Sequence, residues 1–168
     1  MKIKLIIAAL TITAVSFLAC KKDASQSTLA LRLTDFPGDW EEVNIDLKEI
    51  KVKFDNDTTQ WQTLETKAGI YNLLGLQNGI DTLIAQGIFP TTFTVKEIRL
   101  IVGANNTIKT NGAIFPLTIP SGAETGLKIK VNKKLQENLE TLLIDFDAAL
   151  SIKEEVDGFK LRPVLRMK

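Results

Sequence analysis

The sequence predicts an all-β chain, an antiparallel β-sandwich with one or two short helices. Three observations carry that prediction. Apolar residues recur at every second position, as in Val43, Ile45 and Leu47, or in Leu142, Ile144, Phe146, Ala148, Leu150 and Ile152. This is the period of a strand with one face buried. Turn-forming pairs such as Asn78-Gly79, Asn111-Gly112 and Asp157-Gly158 separate these stretches at short intervals. Sustained helical spacing is scarce, so the elements sort into sheets and not into alternating strands and helices.

Taken in order, the chain opens with Lys2 and Lys4 and an apolar run from Leu5 to Leu18. Ala19 precedes Cys20, the only cysteine, and the polar Lys21-Lys22-Asp23 follows. A basic start, an apolar stretch and a small residue before the cut predict a secretory signal over residues 1–19. At about 14 residues the run is short for a membrane span. A thiol directly after that cut is expected to carry lipid. Two or more acyl chains anchor stably where one binds only marginally. Residues 20–28 then read as lipidated cysteine and tether, and residues 29–168 as one β-sandwich domain.

Leu29, Leu31 and Leu33 alternate with Ala30, Arg32 and Thr34, and Asp35-Phe36-Pro37-Gly38-Asp39 turns the chain. Val43, Ile45 and Leu47 fall in one phase and Ile50, Val52 and Phe54 in the other. That slip predicts a bulge or bend at Lys48-Glu49 within one long strand. Asp55-Asn56-Asp57 makes a hairpin-like connection to a strand through Trp61-Gln62-Thr63-Leu64. Ile80, Leu83 and Ile84 have helical spacing, and Gly87 stands where it would cap a short helix. Thr94 to Val102 is a strand in which Val95 is out of phase with Ile98, Leu100 and Val102. Asn111-Gly112 reads as a tight turn between Ile108 and the strand Ile114 to Ile119. Leu127, Ile129 and Val131 alternate with lysines, and residues 132–140 fit a helical turn or a loop. Residues 142–152 form the clearest strand, and Phe159 and Leu161 follow the last turn.

A domain of this size buries roughly 68–70 per cent of its unfolded surface and needs no staple. With Cys20 committed to lipid it has no disulfide, so its core must hold it. The formal net charge is +1, and loss of Lys2 and Lys4 leaves 19 basic against 20 acidic side chains, or −1. No basic excess invites nucleic acid. The chain has no histidine, which removes a Ser-His-Asp triad and any histidine-bearing zinc site. An enzyme is not expected.

Several segments recur together: Leu33-Thr34-Asp35-Phe36-Pro37-Gly38-Asp39-Trp40, Leu74-Gly75-Leu76-Gln77-Asn78-Gly79, and Ile98-Arg99-Leu100. Pro120-Ser121-Gly122 leading to Gly126-Leu127-Lys128, then Asp145-Phe146-Asp147-Ala148 and Leu161-Arg162-Pro163-Val164, complete the series. In this order they resemble a domain-of-unknown-function family of single-domain lipoproteins from Bacteroidota and related bacteria. The resemblance covers about Leu29 to Arg166. It implies a β-sandwich of prealbumin-like or carbohydrate-binding-like kind, and it implies no activity or catalytic residues. One segment departs from the family, with Pro90-Thr91-Thr92-Phe93 where members tend to have Pro-Ala-Gly and an aromatic.

Some residues are candidates for chemistry. Asp145 and Asp147 share a strand face, about 7 Å apart at strand rise. With Asp35 or Asp39 from the first turn they would form an oxygen-ligand calcium site, or the carboxylate pair of a glycosidase. The plainer reading makes them the solvated side of a half-buried strand, or acceptors for turn amides. Arg99 and Arg162 are placed to pair with that face. Ser121 would need Lys128 as its base, and a Pro-Ser-Gly turn explains it more simply. Trp40, Trp61 and Tyr71 suit stacking on sugar rings if exposed, Trp40 most of all, and suit the core otherwise. Lys21-Lys22-Asp23 resembles short charged tags for surface display. Asp57-Thr58-Thr59 and Asp81-Thr82-Leu83 resemble three-residue O-glycosylation sites.

These features lead to an expectation of a cell-envelope lipoprotein, anchored by lipid to the outer membrane on its periplasmic or surface face. Its domain is expected to act as a non-catalytic recognition module for a glycan or an envelope protein. No cofactor other than calcium is expected. The alternative is a structural or assembly subunit of a surface structure; a calcium-binding or carboxylate-based hydrolytic domain is less favoured.

Overall fold

The computed structural model describes residues 25–120 and 126–168. The signal, Cys20, the Lys21-Lys22-Asp23 tag and Ser121 lie outside the described residues. The first strands are β1 (Gln26–Thr34), β2 (Glu42–Phe54), β3 (Asp57–Thr63), β4 (Glu65–Thr66), β5 (Gly69–Asn72), β6 (Thr82–Pro90) and β7 (Thr94–Val102). They are followed by β8 (Thr107–Thr110), β9 (Ala113–Thr118), β10 (Leu127–Lys134) and β11 (Asn138–Phe146). A four-residue helix, α1 (Ala148–Ser151), precedes β12 (Ile152–Glu155), β13 (Gly158–Leu161) and β14 (Leu165–Met167). One 3-10 turn covers Leu73–Leu76. Among the described residues no helix is long and apolar enough to cross a membrane.

The strands form two packed sheets, an all-β sandwich. The smaller sheet runs β14-β11-β1-β6-β4, and the larger runs β10-β7-β2-β8-β9-β13-β12. β2 organises the larger sheet. One of its edges pairs with β7 and β8, and the other with β3 and β5. The slip predicted at Lys48-Glu49 is present as a register shift between Leu47 and Glu49 against β7. It lets Val43, Ile45 and Leu47 and then Ile50, Val52 and Phe54 all point inward. A second shift beside Phe54 brings Val95 back into phase, so it is buried with Ile98 and Leu100. Asn111 and Gly112 both take positive φ, 49° and 75°, the turn that matches strand twist in a two-residue hairpin.

The core lies between the sheets, with Leu29, Leu31 and Leu33 of β1 facing Ile50, Val52, Phe54, Ile98 and Leu100. Phe54 anchors one end, its ring centroid 4.6 Å from that of Phe89 and 5.3 Å from that of Phe93.

The structure departs from the sequence reading at five places. Residues 132–140, expected as a helical turn or a loop, supply the end of β10 and the start of β11 around a short link. The helix expected around Ile80 to Gly87 is strand β6, antiparallel to β1 with Gly87 across from Leu29. Three apolar residues at helical spacing cannot outweigh a full ladder to a central strand, because isolated short helices are marginal. Residues 142–152 are not one strand. Asp147 caps α1, which turns Leu150 out to solvent before β12 begins. The sandwich is mixed, not purely antiparallel, since β1 pairs β11 and β9 pairs β13 in parallel. These partners are far apart in sequence, so no hairpin dictates their direction. Finally, β1 starts at Gln26, inside the stretch read as tether.

Candidate functional site

Asp35, Asp145 and Asp147 gather where β1 and β11 end, and all three are buried rather than solvated. Each has a structural partner. Asp35 accepts hydrogen bonds from the Ala148 amide at 2.9 Å and from Gln77 Nε2 at 3.1 Å. Asp147 accepts from the Leu150 amide at 2.9 Å, an N-cap, with Arg166 at 3.5 Å. Asp145 pairs with Lys168 at 3.1 Å, while its Oδ1 has no partner among the described residues. Asp39 is exposed. Among the described residues no group of three or more His, Cys, Asp or Glu side chains could hold a metal ion. The four aspartates named for calcium therefore do not converge as a set of ligands. The cations on Asp147 and Asp145 are Arg166 of β14 and Lys168 just after it, not the expected Arg99 and Arg162. Arg162 pairs with Glu155 at 2.6 Å and Arg99 stacks on Trp61.

Burial pushes the Asp35 carboxyl above its ordinary value, and the nearby Asp145 charge adds to the rise, against the lowering effect of its hydrogen bonds. The folded state thus holds this proton more tightly than the unfolded chain. The stability it contributes is present below the unfolded value of 3.8 and is lost as pH rises through the folded value. Asp35→Asn keeps an acceptor for the Ala148 amide but carries no charge. Urea unfolding should show the variant gaining on wild type as pH rises from below 3.8 through the raised folded value of Asp35. A gap independent of pH would remove the assignment.

The three aromatic candidates occupy separate places. Trp40 is half-buried and meets Phe159 edge-on, with centroids 6.0 Å apart. Trp61, on β3, lies under the Arg99 guanidinium at 4.0 Å and Lys53 Nζ at 4.7 Å. Tyr71, on β5, donates its hydroxyl hydrogen to the Lys67 carbonyl at 2.6 Å. They share no platform. Of the glycosylation tripeptides, Thr58 and Thr59 are exposed, whereas Thr82 is half-buried where β6 starts. Asp57 accepts from Thr59, and Asp81 pairs with Arg32.

A groove of about 330 Å³ opens where the β8–β9 hairpin meets the β12–β13 hairpin. Asn111, Phe115, Glu154, Glu155, Val156 and Phe159 line it. Phe115 forms its half-open wall, 5.3 Å from Phe159, which Trp40 supports from behind. Val156, in its lining, is fully exposed. Strand direction fixes its place in the molecule. At one pole the Ser25 carbonyl accepts from the Thr91 amide at 2.8 Å, and β2 ends there at Phe54, beside Val95. At the other pole β2 begins beside β8, and the groove lies beyond it. A larger hollow of about 420 Å³ lies against Gly103, Asn106, Leu117 and Pro120, at the border of the described residues.

Phe115, Phe159, Glu154 and Glu155 did not stand out in the sequence as site residues. The groove needs β9 and β13 side by side, and no local pattern announces a parallel pair. The one available signal was Ile114-Phe115-Pro116-Leu117, an apolar run without alternation and with a proline, although β9 lies between β8 and β13 and not at an edge.

A family model described as a domain of unknown function, DUF4382, matches residues 26–163. No curated protein and no solved structure shows a significant match. The match takes in every strand from β1 to β13, so the chain belongs to the domain-of-unknown-function family DUF4382.

Proposed function

We propose that this chain is a cell-envelope lipoprotein of the kind found in Bacteroidota, whose sandwich is a recognition module at the outer membrane. It engages a glycan or an envelope protein through the groove at its far pole and performs no catalysis. The observation that carries this reading is the position of the groove relative to the tether. From Cys20 to Ser25 the chain reaches at most about 18 Å. The 13 residues of β2 add about 40 Å at strand rise. A groove at that distance stands clear of the bilayer to which the lipid holds the domain. Its walls, an aromatic face beside the Glu154 carboxylate and the Glu155–Arg162 pair, suit a sugar ring or an apolar side chain next to a basic one. The absence of histidine, and the engagement of the buried aspartates with backbone amides, Arg166 and Lys168, support a non-catalytic role.

Glycan arrays and pull-downs from envelope extracts test the proposal, using the full chain and Phe115→Ala in parallel. Wild type is expected to retain a defined partner and the variant to lose at least about tenfold in affinity, with the unfolding midpoint little changed. No retained partner, or equal retention by both proteins, would reject it. An assembly subunit is the second reading, with β12 recruiting a neighbour's strand. β12 pairs only with β13 among the described residues. It is four residues long and carries Lys153 and Glu154 outward, as guarded edges do, which favours the first reading.

A further inference from the structure

The outer face of the larger sheet carries charge in an arrangement that its own stability does not favour. Lys128 lies directly across from Arg99, and Arg99 directly across from Lys51. In the next row Lys130 and Lys53 flank Glu97. Like charges directly opposite one another weaken a sheet. Strand spacing places the first three cations within about 10 Å. Their neighbours Leu127, Ile129, Ile98, Ile50 and Val52 point into the core, so the cations share the solvent side.

Acids offset them only in part. Among the described residues Lys51 pairs with Glu49 at 3.0 Å, and Lys53, Arg99, Lys128 and Lys130 make no ion pair. Arg99 Nε is buried and has no hydrogen-bond partner among the described residues. Its guanidinium lies over the Trp61 ring at 4.0 Å, and its planar fork is suited to two-point contact with an acid group. Among the described residues, a chain near neutral overall thus places four cations without an ion pair on one face, beside the paired Lys51.

We infer that this face binds an acidic polysaccharide, whose regularly spaced acid groups cross the strands and meet Lys128, Arg99 and Lys51 in turn. Charge-assisted contacts to those groups would satisfy donors of Arg99 and Lys128 that have no acid partner among the described residues. Single-stranded nucleic acid fits less well, because it needs open aromatic faces for its bases. The aromatic on this face, Trp61, lies under Arg99 and Lys53. An anionic bilayer fits less well too, since a tether ending at Ser25 brings the pole, not this flank, to the membrane. The face is separate from the distal groove, so the two sites can be lost independently.

The full chain in non-ionic detergent is titrated with polygalacturonate, with dextran of matched length as the neutral control. Polygalacturonate is expected to bind and dextran not, with affinity falling as salt rises. The exposed pair Lys128→Gln with Lys130→Gln should weaken binding about tenfold and leave the melting temperature unchanged or slightly raised, because repulsion is relieved. Phe115→Ala should bind polygalacturonate as wild type does. Absence of binding at low salt, or equal binding by the double variant, overturns the inference. So does tighter binding of poly-dT or of phosphatidylglycerol vesicles.

Discussion

Cys20→Ala is expected to move the protein from the membrane pellet to the soluble fraction and to abolish labelling by fatty acid. The effect should be close to complete. Each buried methylene of an acyl chain contributes about 0.8 kcal/mol to membrane partition, so removing two or more chains removes far more than the folded domain can replace. Among the described residues no helix is able to span a bilayer, and no other cysteine exists to take the lipid. The sandwich core begins at Leu29, so the urea midpoint should stay where it is in wild type. Fractionation with a lipid label reads the result. Full membrane retention of the variant, or a native polypeptide still carrying residues 1–19, would remove the anchor from the proposal.

Phe54→Ala should be the most destabilising single change considered for the domain, by about 3–5 kcal/mol. That is a large part of the roughly 5–15 kcal/mol that holds a domain of this kind together. Phe54 is fully buried at the end of β2. It is the ring through which the larger sheet meets Phe89 of β6 and Phe93 of the following turn. Truncation leaves a cavity bounded by both sheets, which cannot collapse without breaking a ladder. Phe36→Ala is the control, because Phe36 is 51% exposed and should cost less than about 0.5 kcal/mol. Urea unfolding should show a lowered midpoint at a similar slope for Phe54→Ala. Equal losses in the two variants would contradict the placing of the core.

Most strands could be read from alternation alone, because burial on one face imposes a period of two wherever a sheet packs on another. The bulge in β2 could be read as well, since Val43-Ile45-Leu47 and Ile50-Val52-Phe54 can share a face only if one residue is absorbed between them. Reading failed where two structures fit one pattern. Ala148, Leu150 and Ile152 keep the parity of β11, yet Asp147 can bond the Leu150 amide and fold that stretch into α1. A carboxylate two residues from another looks solvated in a list of letters. Only the packing of Ala148 and Gln77 around Asp35, and of Lys168 on Asp145, makes these acids interior.

By itself the sequence determined an all-β chain, most of its inward-facing residues, its hairpin turn at Asn111-Gly112 and the absence of histidine chemistry. Those properties are local, set by side-chain period, turn conformation and residue type. Tertiary structure alone decided which strands lie in parallel, and therefore that Phe115 and Phe159 wall one groove at the pole opposite Ser25. It also decided that Lys128, Arg99 and Lys51 stand in one row. Neighbours brought together from opposite ends of a chain depend on the energy of the whole packed body, and no window of residues contains that sum.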